Sequence, residues 1–158
     1  MLHDIARPKE SSGEVECHAA AGADIAQEIL AKTGFPKEKI PIVAECIRVH
    51  RFSKGLEPKS QEAAILQDAD RLDALGAITI ARIFTHGGNK GRPIYDPSVK
   101  LGEIKGKGSS SLHHFYKKQL KLKPETFKTK IAQAIAKKRY QFILAYINQF
   151  LKEWEGEI

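Results

Sequence analysis

Apolar residues recur at helical spacing along almost the whole chain. From Glu14 to about Lys32, the residues Val15, His18, Gly22, Ile25 and Ile29 repeat every three or four positions and form one stripe, the mark of an amphipathic helix. Gly34 reads as its stop, and Pro36 opens another helix at a position that tolerates proline. On that helix Ile40, Val43, Ile47 and His50 share the inner face. Pro58 and Ser60, with Ser60 as N-cap, introduce the longest apolar stretch, about 61–84. It is apolar nearly all round, which predicts a central, buried helix. A short basic helix is expected over 111–121 and a long one over 125–154, with Phe127, Ile131, Ile135, Phe142, Tyr146, Phe150 and Trp154 as its core-packing stripe. No segment alternates as a strand would, so the expected fold is all-α, a helical bundle in one domain over 1–158 without internal repeat.

Two stretches interrupt this pattern. Residues 1–6 read as the end of a helix whose beginning is missing, because nothing before Met1 could cap it and Pro8 stops it; residues 9–13 read as a polar turn. Residues 86–108 hold six glycines with Pro93 and Pro97 and predict a long Gly-rich loop, from which Lys90, Arg92 and Tyr95 reach over a pocket or lie on a mobile surface. The expected organisation is a core over about 1–85, this loop, and extra C-terminal helices over 109–155.

Polar residues sit where the pattern calls for apolar ones. His18 and His50 both point inward. The Asp68-Ala69-Asp70-Arg71-Leu72-Asp73 run lies inside the most apolar helix, where a charge is costly unless paired or coordinated. His3 and Asp4 offer an imidazole and a carboxylate from one backbone segment, a donor pair suited to a divalent cation. Each histidine alone reads most simply as a hydrogen-bonded core residue, and Arg71 as a structural ion-pair partner. Together, His3, Asp4, His18, His50 and Asp70 come from four segments that a helical core can bring to one metal centre. Such a centre supplies Lewis-acid activation of a phosphoryl oxygen and hydroxide from bound water. No nucleophilic Ser or Cys stands near a base at a telling spacing, and there is no phosphate-binding Gly-rich loop followed by Lys-Ser/Thr and no dinucleotide fingerprint.

Charge refines this. The chain carries a net +7 with 42% apolar and 28% charged residues, an ordinary globular composition. Residues 90–139 hold 14 of the 26 lysines and arginines against only Asp96, Glu103 and Glu125, so the remainder is net acidic. The acidic part would hold a cation; the basic part is either a solvated lysine face or a surface attracting an anionic substrate or nucleic acid. His113 and His114 read as surface or packing residues. Cys17 and Cys46 lack metal or disulfide spacing and read as reduced thiols. With no apolar run of about 18 residues and no secretory signal, the protein is expected in the cytoplasm and not in a membrane.

The segments Leu2-His3-Asp4-Ile5, Cys17-His18, Ile47-Arg48-Val49-His50-Arg51-Phe52-Ser53 and Gln67-Asp68-Ala69-Asp70-Arg71-Leu72-Asp73-Ala74-Leu75-Gly76 resemble the HD-domain superfamily of metal-dependent phosphohydrolases. The loop Gly91-Arg92-Pro93-Ile94-Tyr95-Asp96-Pro97 is similar to that of one branch, small bacterial and archaeal hydrolases. The resemblance implies that His3 and Asp4 bind metal and that Asp70 completes the site, with Asp68 as second choice. It implies that His18 and His50 are catalytic, facing the substrate phosphate, or bind a second metal with Asp4 as the bridge. Arg51, Lys54 and Arg92 are candidates for phosphate contact. The implied cofactor is one or two of Mn²⁺, Fe²⁺ or Mg²⁺, and the implied substrate is a phosphoester or phosphoanhydride, foremost a nucleotide.

One departure stands out. The family's first metal ligand is a histidine on an earlier helix, and this chain starts after it. The expectation is therefore an HD domain lacking its first helices, with an incomplete ligand set and an exposed apolar face that favours a homodimer or poor solubility. The rival expectation is a relic of the fold, catalytically impaired, that binds nucleotide or nucleic acid through the basic 90–139 region.

Overall fold

The computed structural model describes residues 2–102 and 110–157. Among them are seven α-helices and no strand: α1 (Arg7–Ser12), α2 (His18–Lys32), α3 (Ile40–Val49), α4 (Gln61–Asp73), α5 (Ala77–Asn89), α6 (Ser111–Lys117) and α7 (Lys130–Glu155). The all-α class is thus as expected. Short 3₁₀ turns at Leu2–Asp4, Lys37–Lys39, Phe52–Lys54, Gln119–Lys121 and Pro124–Thr126 join them. The chain forms two compact units, Met1–Asp70 and Arg71–Ile158.

In the first unit α2 packs along α3 through small side chains. Ala23 and Ala26 of α2 meet Ala44 and Ile47 of α3, with Leu2, Val43 and Leu66 against them. The buried face of α2 is His18, Ala19, Gly22, Ala23 and Ala26, not the larger Ile25 and Ile29 of the expected stripe. Small residues let two helix backbones approach closely, so this pair is held by proximity more than by bulk. Buried Gln67 donates from Nε2 to the carbonyls of Val49 (2.9 Å) and Leu56 (3.2 Å) and so ties α4 to the end of α3.

The N-terminus differs from expectation. Pro8 does not stop a helix; it occupies the first turn of α1, where the missing N–H had no partner to lose. The expected polar turn over 9–13 is therefore mostly helix. The helix expected from Glu14 begins only at His18, after an extended Cys17.

In the second unit Leu75, Ile80, Ile83, Leu112, Phe115, Phe127, Ala132, Ala136, Ile143 and Ile147 form the core, and Phe84, Tyr95, Tyr146 and Phe150 pack on it. The single helix expected over 61–84 is two helices, broken where Gly76 takes φ +94°. A Cβ there would also sit 3.2 Å from Arg139 Cγ, so the break needs glycine on two counts. The last carbonyls of α4 find side-chain donors: Arg139 reaches Leu72 O (2.7 Å), and Thr79 Oγ1 (2.6 Å) and Arg82 (2.9 Å) reach Asp73 O, which satisfies a helix end inside the fold. Nor is the pair buried all round, since Ile65 and Ile78 are 51% and 75% exposed. Arg71 is structural, donating to Thr126 O (2.7 Å) and lying 4.1 Å over the Phe127 ring.

Two further boundaries move. The Gly-rich loop starts at Lys90 rather than 86, because α5 runs to Asn89, and its 103–108 part lies outside the described residues. The final helix starts at Lys130, capped by Thr129 Oγ1 accepting from Ala132 N (3.2 Å). Its buried face is Ala132, Ala136, Ile143 and Ile147; of the expected stripe Phe127, Tyr146 and Phe150 pack in or on the core, while Ile131, Ile135, Phe142 and Trp154 are exposed.

Candidate functional site

Four residues of the first unit converge. The turn Leu2–Asp4 presents His3 and Asp4, His18 is the first residue of α2, and His50 follows the last turn of α3. Tight α2–α3 packing brings the ends of the two helices together. The His3 and His50 rings lie 5.1 Å apart and the His18 and His50 rings 5.4 Å apart. Asp4 sits among them: His18 Nε2 is 3.3 Å and His50 Nε2 3.8 Å from its Oδ1, and His3 Nε2 is 3.6 Å from its Oδ2. Ligand atoms of His3, Asp4 and His50 all lie within 4.8 Å of one another, a span one cation can bridge.

The hydrogen bonds decide which nitrogens are open. His50 Nδ1 is 2.6 Å from Ile47 O, which can only accept, so Nδ1 carries the proton and Nε2 holds a lone pair. His18 Nδ1 is 2.6 Å from Glu10 Oε2, which fixes the same tautomer. In the neutral form of both rings Nε2 carries the lone pair, and it faces Asp4 Oδ1. His3 Nδ1, Asp4 Oδ1 and His18 Nε2 are buried without a hydrogen-bond partner. Buried acceptors facing one another repel unless something positive lies between them, and a divalent cation with N and O donors fits. Burial holds the His50 imidazole below its usual range, against the opposing pull of Ile47 O and Asp70, so it is neutral and ready to donate its lone pair.

Around this group lies a ring of charge, in which Arg51 was expected and Glu10 and Arg7 were not. Glu10, on α1, is held down to about 2 by its hydrogen bonds to His18 and Arg51 against a smaller effect of burial. Arg51 donates to Glu10 and, from Nε, to Ser53 Oγ (3.0 Å). Arg7 lies 3.4 Å from Asp4 Oδ1. Glu10 is the residue sequence reasoning missed; Pro8 at a helix start followed within one turn by an acid was the available sign. Burial acts to raise the Cys17 thiol, but the backbone N–H groups of Ala20 and Ala19, and after them Arg51 and exposed Lys54, together lower it.

Of the expected ligands, Asp70 is half-buried on α4 and acts on His50 by its charge, but it is not among the three whose donor atoms converge. Its neighbour Asp68 is fully buried. Arg92 lies in the second unit, lining a pocket with Arg82, His86, His114, Lys118 and Gln119.

A family model for the HD domain matches residues 1–75. A crystal structure of an HD-superfamily hydrolase from Bacillus thuringiensis is similar with a TM-score of 0.72 and 37% identity, over 98% of this chain and 70% of that one. The YpgQ protein of Bacillus subtilis is 39% identical over 100 residues, which are 63% of this chain and 43% of YpgQ; this match therefore spans less than half of that relative. A crystal structure of YpgQ in complex with ADP is similar with a TM-score of 0.63 and 27% identity, over 96% of this chain and 82% of that one. Among the described residues, no helix is long and apolar enough to cross a membrane.

Proposed function

The chain belongs to the HD-domain superfamily, and from that premise we propose that it is a metal-dependent phosphohydrolase acting on a nucleotide or a related phosphoanhydride. The observation that carries this reading is the convergence of His18 Nε2 and His50 Nε2 on Asp4 Oδ1, with His18 Nε2 and Asp4 Oδ1 buried and without a hydrogen-bond partner. The nucleotide is favoured because the similar YpgQ was crystallised with ADP.

In this proposal His3, Asp4 and His50 hold the cation. Asp70 is assigned the remaining position, on the resemblance and on its charge acting at His50. A divalent cation there supplies Lewis-acid polarisation of a phosphoryl oxygen and lowers the pKa of water. The chain's own residues do the rest. Glu10 fixes the His18 ring, so that Nε2 would take the proton of the attacking water as the new P–O bond forms and the P–O bond to the leaving group breaks, the leaving oxygen departing with the bond's electron pair and taking a proton from solvent. Ile47 O fixes His50 in the tautomer that binds. Arg51, steadied by Glu10, and Lys54 neutralise charge on the non-bridging oxygens.

The test is hydrolysis of ADP and other nucleotides with added Mn²⁺, Fe²⁺ or Mg²⁺, beside the metal content of the purified protein. Asp4→Ala is expected to cut the rate by about 100-fold or more and to abolish metal retention. Activity that survives Asp4→Ala rejects the assignment. A metal-free, inactive protein with salt-sensitive nucleic-acid binding would favour the relic instead.

A further inference from the structure

The second unit holds a basic pocket of its own. Its volume is about 190 Å³, several times the ~30 Å³ share of a water molecule and below the ~300 Å³ at which sites for whole cofactors begin. Arg82 and His86 project into it from one face of α5, His114 from α6, Lys118 and Gln119 from just beyond α6, and Arg92 from the loop between the helices. No carboxylate is among the described residues that line it. The charge of Arg82 is shared with Asp73, 2.7 Å away.

The walls are built rather than incidental. A Cβ on Gly87 would fall 2.0 Å from Ser111 Oγ, so glycine is what lets α5 and α6 touch at the back of the pocket. The backbone of the loop is pinned on both sides: Arg92 N donates to Gly87 O, Ser111 N to Pro93 O and Leu112 N to Ile94 O, each at 2.9 Å. Arg92 is thus carried on a fixed support. Clustered cations also disturb one another, since the His114 imidazole is pushed down by burial and then by Lys118, Arg92, Lys117 and His86.

A second observation points to a ligand. Gln119 is 3% exposed, and its side-chain oxygen is buried without a hydrogen-bond partner. A purely anion-attracting surface would not need a buried acceptor. A ligand that is anionic and also carries a hydroxyl meets both demands.

We propose that Arg92, Lys118, His86, His114 and Gln119 form a binding site for a small phosphate, either inorganic phosphate or the phosphate end of a sugar phosphate, with the cations on its oxygens and Gln119 Oε1 accepting its hydroxyl proton. Sulfate has the same size and charge as hydrogen phosphate but no proton to give. The site therefore prefers phosphate to sulfate by about tenfold or more, because sulfate leaves the buried oxygen unpaired.

The test is titration of the purified chain with phosphate, ribose 5-phosphate and sulfate, followed by the ring proton signals of His86 and His114 in NMR. Saturable shifts are expected in the natural chain and equally in Asp4→Ala, which separates this site from the metal-dependent reading. Lys118→Met, at an exposed position, and Arg92→Met are each expected to weaken phosphate at least fivefold; Gln119→Met is expected to erase the preference over sulfate. Ribose 5-phosphate binding tighter than inorganic phosphate identifies the sugar phosphate as the ligand, and the reverse order identifies the free ion. Absence of saturable shifts, shifts unchanged in Lys118→Met, or shifts lost in Asp4→Ala would each overturn the proposal.

Discussion

His113 of the second unit and His18 of the first are equally withdrawn from solvent, 0% and 1% exposed, yet their surroundings are opposite. His113 has both ring nitrogens engaged, with Ser110 Oγ at Nδ1 and Val99 O 2.8 Å from Nε2. His18 has one nitrogen on Glu10 and the other bare. The units also differ in how they fill their cores and seat their polar groups, although the second leaves Gln119 Oε1 without a partner. The second builds its core from Phe115, Leu112 and Ile143, and seats Arg71, Thr79 and His113 in hydrogen bonds. The first builds its core from alanines and leaves His3 Nδ1, Asp4 Oδ1 and His18 Nε2 open. Burial of a histidine therefore says little about its role. A buried histidine with one nitrogen fixed and the other open is incomplete by itself, and that incompleteness is what a ligand completes.

The sharpest test of the contrast is in the cores. Phe115→Ala is expected to destabilise the second unit by about 3–5 kcal/mol, because its fully buried ring has close neighbours on every side. The two units can unfold in separate steps, so the loss should be read by hydrogen exchange at amides of α6 and α7. Equal loss of protection in α2 would mean that the units do not differ in this way. Metal gives the next largest effect. Raising Mn²⁺ to about 100 times its Kd should stabilise the first unit by about 2.7 kcal/mol, seen as slower exchange in α2 and α3. The gain should vanish in Asp4→Ala. A gain of equal size in that variant would place the ion elsewhere.

The two histidines can be set directly against each other in metal-free protein. His113→Leu should cost about 1–3 kcal/mol, since Ser110 and Val99 O lose their partner in a dry setting. His18→Leu should cost less than His113→Leu, because it gives up one bond, to a Glu10 that keeps Arg51, and removes a buried nitrogen without a partner. Denaturant melts of both variants decide this. If His18→Leu is as damaging as His113→Leu, the open nitrogen has been misread.

What the sequence disclosed follows the same division. His3 beside Asp4, the inward His18 and His50, and the aspartates in an apolar helix stood out because a polar residue in an apolar stripe is a local signal. Glu10 did not stand out: its partners His18 and Arg51 are distant in sequence, and Pro8 was taken as a stop when it begins α1. Gly76 was passed over inside an apolar run, although its positive φ ends α4. The basic excess over 90–139 was visible as charge, but the pocket that uses part of it depends on the Gly87–Ser111 approach, which no spacing rule reveals. Part of the C-terminal stripe was misjudged because size was taken for burial: Phe127, Tyr146 and Phe150 do pack in or on the core, but small Ala132 and Ala136 are buried while larger Ile131 and Phe142 are exposed.

That stripe yields the smallest expected effect and the finest check on how the second unit is packed. Phe142 and Ile143 are adjacent, so a helix turns them about 100° apart. Ile143 is fully buried and Phe142 is 50% exposed. If the core is one-sided, Phe142→Ser removes surface that was already half in water and shifts stability by about 0.5 kcal/mol or less. Ile143→Ala leaves a cavity in the same helix and costs about 2–5 kcal/mol. Denaturant midpoints of the two variants, measured side by side, separate the two registers. The stripe read from residue size puts the larger loss at Phe142; the face lined by Ala132, Ala136, Ile143 and Ile147 puts it at Ile143, and only that result leaves the second unit's core as described.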